Sequence, residues 1–366
     1  QRVWKVNGKE EKAMNKPRQS NMELLRIFSM VIIILSHYVY HGGLFEQPFS
    51  VNQAFAQFLK MGGKLGVTCF VLISAYYLIG SKFKIQNILK LLLEISFYAV
   101  ILIGVKFVIT GSASGTEIFK SVFAPIYNLY WFPTTYIGMY LVFPLLNIII
   151  NRYNEKCLRI TLFLTIPFSI VHFVFIGSDF LYSNLTWFLY LYLWGGVLHK
   201  CNLQKLEKKS FLIAASAALV IWATSICMTL LGLKTGNNAI LSHASYFTDI
   251  TSPLIWICSI GIFLTFKKMN AGYNKTINMI ANLTFPVYLI HDNPFFRELF
   301  WNDIVKAHNF YTANIAFLVL HMMLVVVGLF ALAAIIEFIR CRIEARLFRL
   351  EILNMITNKI NAIYNV

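Results

Sequence analysis

Arg26 and His37 lie in one apolar run, NMELLRIFSMVIIILSHYVYHGG, with ten residues between them. At about 100° per residue, eleven steps return nearly to the starting azimuth, so the two side chains share a helix face. At 1.5 Å per residue they stand roughly 16 Å apart along the axis, about half of a hydrocarbon core roughly 30 Å thick. One apolar helix thus carries a permanent cation near one end and a proton-transfer group further along. A guanidinium suits phosphate, because its planar fork meets two oxygens at once. An imidazole can take a proton from a weak nucleophile such as an alcohol, or attack an electrophile itself. Ionisable groups in a membrane helix are functional candidates because their burial is costly. The plainer readings are that Arg26 anchors the helix at an anionic leaflet or pairs with Glu23, and that His37 is a structural hydrogen-bonding residue.

Such a pair needs apolar helices around it, and the composition supplies them. The chain has 366 residues, of which 58% are hydrophobic and 13% charged. A soluble domain carries about 25% charged residues. Phe and Tyr are abundant and many fall near segment ends, where aromatic belts form. Ten apolar stretches can be drawn, at 22–41, 64–80, 87–109, 136–151, 158–176, 183–199, 210–232, 247–266, 278–292 and 313–338. The fourth and ninth are short for a full span. The pattern predicts an all-α, polytopic membrane bundle of about ten helices.

Charge placement orients it. With a cytoplasmic N-terminus, 25 of the 32 Lys and Arg residues fall in inside regions. The other seven are Lys60, Lys64, Lys106, Lys120, Lys234, Arg297 and Lys306. This asymmetry favours ten spans with both termini in the cytoplasm. It also accounts for the net charge of +16 without nucleic acid, since the charge is spread over short loops and forms no basic patch on a soluble fold. The six cysteines include no CxxC pair and no disulfide framework.

Three regions follow. Residues 1–20 form a basic leader, and MNKPRQSNMELLR from Met14 reads as a natural start, with 1–13 as upstream sequence. Residues 21–338 form the membrane domain. In 339–366, Ile339, Ile343, Leu347, Leu350, Leu353, Ile356, Ile360 and Ile363 recur at three- and four-residue steps among arginines. That pattern predicts an interfacial amphipathic helix on the inner leaflet.

Five ordered motifs carry a family resemblance. NMELLRIFSMVIIILSHYVYHGG resembles the opening of the membrane-bound acyltransferase family 3, marked by an Arg, ten residues, then His. GVTCFVLISAYYLIG resembles the family's second-span motif, YWFPTTYIGMYLVFPLLN the fourth, YLYLWGGVLHK the sixth and FPVYLIHDNP the ninth. One departure stands out: the second-span motif usually reads Ser-Gly-aromatic and here reads Ser74-Ala75-Tyr76. Ala adds a methyl where Gly permits close backbone approach.

The resemblance implies transfer of an acyl group, usually acetyl, from cytoplasmic acyl-CoA to a carbohydrate hydroxyl at the outer face. Acetyl-CoA would be the donor substrate, with no bound cofactor. The acceptor would be a cell-surface, capsular or lipid-linked glycan, possible partners would be glycan-assembly proteins, and the setting would be a cell membrane, in bacteria the plasma membrane. His37 would be the base or the acyl carrier, and Arg26 would hold a CoA phosphate. His291, with Asp292 setting its tautomer, would orient His37 or touch acceptor; the plainer reading is a turn before Pro294. Ser74 and Tyr76 would line the donor tunnel, or else pack helices. Glu94 and Lys106 should point inward or snorkel. No HxxxH or HExxH pattern links His41, His172, His243, His308 and His321, so no metal site is expected. The alternative from another class is a transporter or flippase for a lipid-linked sugar, against which the Arg–His pair and the lack of recognisable inverted repeats argue.

Overall fold

The computed structural model describes residues 19–46, 48–175, 182–347 and 358–360. Its long elements are all helical: α1 (Ser20–His41), α2 (Val51–Leu78), α3 (Ile85–Thr110), α4 (Gly115–Val122), α5 (Trp131–Arg152), α6 (Glu155–Val174), α7 (Asn184–Lys200), α8 (Gln204–Thr235), α9 (Asn238–Ser242), α10 (Pro253–Lys268), α11 (Lys275–Ala281), α12 (Thr284–His291) and α13 (Ile315–Leu347). No strand occurs among the described residues. The chain is a multi-pass membrane protein, with seven stretches long and apolar enough to cross a bilayer.

The ten stretches drawn from sequence map onto helices, of which three are not among those seven. α7 has 17 residues, the ninth stretch is broken at Asn282–Leu283 into α11 and α12, and α6 is the third. Broken backbone at membrane depth needs protein or a cavity around it, and Asn282 faces a cavity. The fourth stretch lengthens to the 22 residues of α5. α2 starts thirteen residues before the predicted stretch, so Lys60 sits inside a helix and Lys64 near its middle. α13 runs through residue 338 unbroken to Leu347. The leader up to residue 18 and most of the predicted tail helix lie outside the described residues.

The centre is the packing of α1 on α2. A Cβ on Gly62 would stand 2.6 Å from the Ile32 carbonyl oxygen, and one on Gly66 would stand 2.6 Å from that of Ser29. Two glycines four apart thus let the backbones touch, the small-xxx-small device of membrane helices. Ser36 ties the same seam, donating to the Lys60 carbonyl at 2.8 Å. α10 packs on α8 in the same way, with Gly261 against Ser210 and Ala214.

Several charged groups in the spans are paired. Lys106 meets Glu117 at 2.6 Å. Glu94 meets Arg340 of α13 at 3.7 Å, and Arg340 also pairs with Glu337 at 2.6 Å. Both residues expected to point inward or snorkel therefore find counter-charges. The six cysteines are free, and Cys69 and Cys258 are small buried groups.

The Ala75 departure has a structural answer. A Cβ on Gly195 of α7 would lie 2.3 Å from the Ala75 Cβ. The methyl added on α2 occupies the room that Gly195 of α7 leaves open. Gly195→Ala should therefore overpack this contact and destabilise by about 1–3 kcal/mol. Thermal unfolding in detergent should show a lower midpoint for Gly195→Ala and recovery in the Ala75→Gly, Gly195→Ala double variant. An unchanged midpoint in the single variant would show that the helices separate freely.

Candidate functional site

The face of α1 that carries Arg26 also carries Met30 and Ile33, at steps of four and three, and His37 follows after four more. Arg26, Met30 and Ile33 line a cavity of about 330 Å³. Opposite them are Val67, Phe70 and Ser74 of α2, Phe132, Pro133 and Tyr136 of α5, and Thr284, Phe285 and Tyr288 of α12. The cavity begins at a guanidinium, runs between apolar walls and ends at Tyr288, whose ring centroid is 6.1 Å from that of His291. Tyr288 is buried, and its hydroxyl lies near the Asp292 carboxylate without closing a well-formed hydrogen bond.

Beyond Tyr288 stand three histidines. His291 Nε2 is 3.0 Å from His37 Nδ1. The rings of His37 and His41 are edge to face, with centroids 5.1 Å apart. The tautomers follow from the acceptors. His291 Nδ1 lies 2.6 Å from the Val287 carbonyl oxygen, which can only accept, so Nδ1 carries the proton. In the neutral ring Nε2 is then an acceptor, and it takes the Nδ1 proton of His37. That leaves His37 Nε2 with its lone pair free, and no hydrogen bond among the described residues occupies it. A fixed tautomer with the basic nitrogen exposed is what general-base or nucleophilic work requires.

The expectation that Asp292 sets the tautomer of His291 is corrected here. Val287, one turn back on α12, presents its carbonyl oxygen to the imidazole. Successive side chains on a helix point about 100° apart, so Asp292 faces elsewhere. Its Oδ1 is 3.9 Å from His37 Nδ1, 3.8 Å from His41 Nε2 and 3.3 Å from Arg297 Nη1. The carboxylate is nearly buried, and it can steady positive charge on either α1 histidine.

Aromatic residues hold the assembly. Trp301 donates from Nε1 to the His291 carbonyl at 3.1 Å, and its ring is edge-on to those of His291 and Tyr38. Trp301 sits in a widened helical turn, Leu299–Ile304. Asn293 donates to the Tyr130 hydroxyl at 2.6 Å, and Tyr130 donates to the Leu289 carbonyl at 2.9 Å.

Of the residues singled out from sequence, Arg26 and Ser74 line the cavity, and His37, His291 and Asp292 form the cluster at its end. Arg26 also pairs with Glu23 at 3.2 Å, so the plainer reading of that residue holds alongside the cavity position. Tyr76 is not in the cavity wall. Its ring is 4.9 Å from that of His199 and 5.5 Å from that of Phe263. His41 had no assigned role, yet an HxxxH spacing from His37 was there to be read. Arg297, Asn293, Tyr130 and Trp301 had no such signal.

Ligand atoms of His37, His41 and Asp292 lie within 4.8 Å of one another, close enough to surround a divalent ion. The Arg297 guanidinium on the same Asp292 oxygen opposes a further cation there.

A family model described as an acyltransferase domain, that of the acyltransferase 3 family, matches residues 19–336. The chain therefore belongs to this family and is a membrane acyltransferase. No curated protein and no solved structure matches it.

If His291 fixes the His37 ring, His291→Ala should lower acyl turnover by about 10²-fold while leaving donor affinity intact. His291→Gln, whose amide oxygen can accept the same proton, should recover part of the loss. Equal turnover for His291→Ala and the native chain would remove His291 from the mechanism.

Proposed function

We propose that this protein transfers an acetyl group from acetyl-CoA, supplied from the cytoplasm, to a hydroxyl of a cell-surface, capsular or lipid-linked carbohydrate. The observation that supports it is the shared face of α1: Arg26, Met30 and Ile33 line the cavity, and His37 stands one turn beyond Ile33 with a free Nε2. On this reading both termini are cytoplasmic, as the loop charges favour, and the shorter α6, α7 and broken α11–α12 complete ten passes through the membrane in a bacterial plasma membrane.

The Arg26 guanidinium pairs with a CoA phosphate, and the thin pantetheine arm follows the apolar walls. The roughly 16 Å between the two residues on the helix is comparable to that arm. The thioester then lies near Tyr288 and the histidines. His37 Nε2 takes the proton of the acceptor hydroxyl as its oxygen bonds to the thioester carbon. The Nδ1 proton stays on the His291 side, and Asp292 steadies the imidazolium. Charge builds on the carbonyl oxygen, and the buried Tyr288 hydroxyl is the donor available to it. The carbon–sulfur bond breaks, the thiolate takes the proton back from His37, and an acetyl ester and free CoA leave. Apolar walls keep water from competing with the acceptor.

Two variants separate the roles. His37→Ala should insert normally and bind acetyl-CoA, but lose 10²-fold or more in transfer. Mass spectrometry of surface glycans from cells carrying each form reads that loss as missing acetyl groups. Full acetylation with His37→Ala would sink the reading. Arg26→Ala should weaken acetyl-CoA about 10- to 150-fold in a detergent titration, from a contact of roughly 1.5–3 kcal/mol. Arg26→Lys should recover only part, because an ammonium keeps the charge and loses the fork. Equal affinities across the three would make Arg26 a surface anchor.

A further inference from the structure

Lys60 and Lys64 stand one turn apart on α2, and their ammonium groups have no ion-pair partner among the described residues. They are unusual in this. Arg26, Lys106, Lys267 and Arg340, the other cations on long helices near the core, each meet a carboxylate. Lys60 and Lys64 are held by aromatic faces instead. Lys60 Nζ is 4.7 Å from the centroid of Phe45, and Lys64 Nζ is 5.5 Å from that of Trp131. Such contacts steady a cation without neutralising it. Two part-buried positive charges in an apolar bundle are expensive unless a counter-charge arrives.

Both lysines face a cavity of about 510 Å³ whose other lining includes Ser242, Ser245, Thr251 and Asp249. An adjoining cavity of about 430 Å³ shares Lys60, Ser242 and Ser245. Asp249 is the one carboxylate in this lining, and its Oδ1 is engaged by the Thr251 backbone N–H at 2.9 Å and hydroxyl at 2.6 Å. The lining therefore keeps an excess of positive charge beside several hydroxyl groups. The location bears on catalysis. Ser36, next to His37, donates to the Lys60 carbonyl, and Trp131 under Lys64 adjoins Phe132 of the donor cavity.

We infer that this cavity binds the acceptor and that the acceptor is anionic: a saccharide bearing a phosphate or carboxylate, held by Lys60 and Lys64 while its hydroxyls meet the serines and threonines. The inference rests on the acyltransferase reading for the word acceptor, but the binding it claims does not require turnover. Lysines suit this task as compact point charges that accept either anion. A neutral sugar would leave the excess positive charge uncompensated.

Direct binding decides it. The full chain in neutral phosphatidylcholine nanodiscs would be titrated with glucose, glucuronate and glucose 6-phosphate, and separately with acetyl-CoA. The native chain should bind one or both charged sugars at least about 10-fold more tightly than glucose. Lys60→Met and Lys64→Met should each erode that preference and leave acetyl-CoA affinity and the thermal midpoint unchanged. Lys60→Arg should keep it. Which charged sugar wins distinguishes phosphate from carboxylate. No preference in the native chain, or a preference that survives both Met variants, would overturn the inference. So would loss of the preference in phosphatidylglycerol nanodiscs, which would assign the lysines to a lipid headgroup. Charged-sugar binding without any acetyl transfer would instead retain the site and count against the acyltransfer chemistry.

Discussion

The contact between α1 and α2 sets the frame for everything else in this molecule. Gly62 and Gly66 bring α2 against the Ile32 and Ser29 carbonyls, a distance that no larger residue allows. Once the two backbones touch, three sets of side chains have fixed relations. Arg26, Met30 and Ile33 face Val67, Phe70 and Ser74 across the donor cavity. His37 is placed beyond its end, and Ser36 locks the neighbouring turn to Lys60. A looser crossing would widen the cavity to water and move the imidazole off α12. Lipid offers no hydrophobic force between helices, so this precision has to come from shape and hydrogen bonds.

The second constraint is that an apolar bundle tolerates polar groups only when they are satisfied within it. Most here are. Glu94, Glu337 and Arg340 join α3 to α13, and Lys106 meets Glu117. Asn147 donates to the Leu78 carbonyl at 2.8 Å and accepts from Tyr192, binding α5 and α7 to the end of α2. Against that background, groups left open are informative. Among them are His37 Nε2, the Tyr288 hydroxyl, which makes no well-formed hydrogen bond, and the ammonium groups of Lys60 and Lys64.

The histidine chain shows how a backbone carbonyl can do the work often given to a carboxylate. Val287 accepts the Nδ1 proton of His291, which orients His291 toward His37, which frees Nε2. Asp292 is then available to answer charge on the α1 histidines, and Arg297 holds it in place. The end of α12 at His291 adds to this, because its last-turn carbonyls at Leu289 and His291 are free to take Tyr130 and Trp301.

Sequence alone determined the helical class, the membrane setting, the shared face of Arg26 and His37, and, through five ordered motifs, the family. Those features are local: hydrophobic length, helical period and residue type within one segment carry them. It also named His291 and Asp292, which adjoin each other in the chain. It could not say which of them faces His37, because that depends on where α12 ends and how it meets α1. Nor could it separate Ser74 from Tyr76, two residues apart, since neighbouring helices decide that one faces the cavity and the other packs on His199 and Phe263. The reach of α2 back to Val51 was hidden because Lys60, Gly62 and Gly63 interrupt the apolar run before residue 64, and they are held in a helix by α1 and by an aromatic ring. Distances between segments far apart in the chain, such as the 3.0 Å from His37 to His291, are set only by packing. The tertiary structure therefore decided which polar groups are satisfied and which are left open for a substrate.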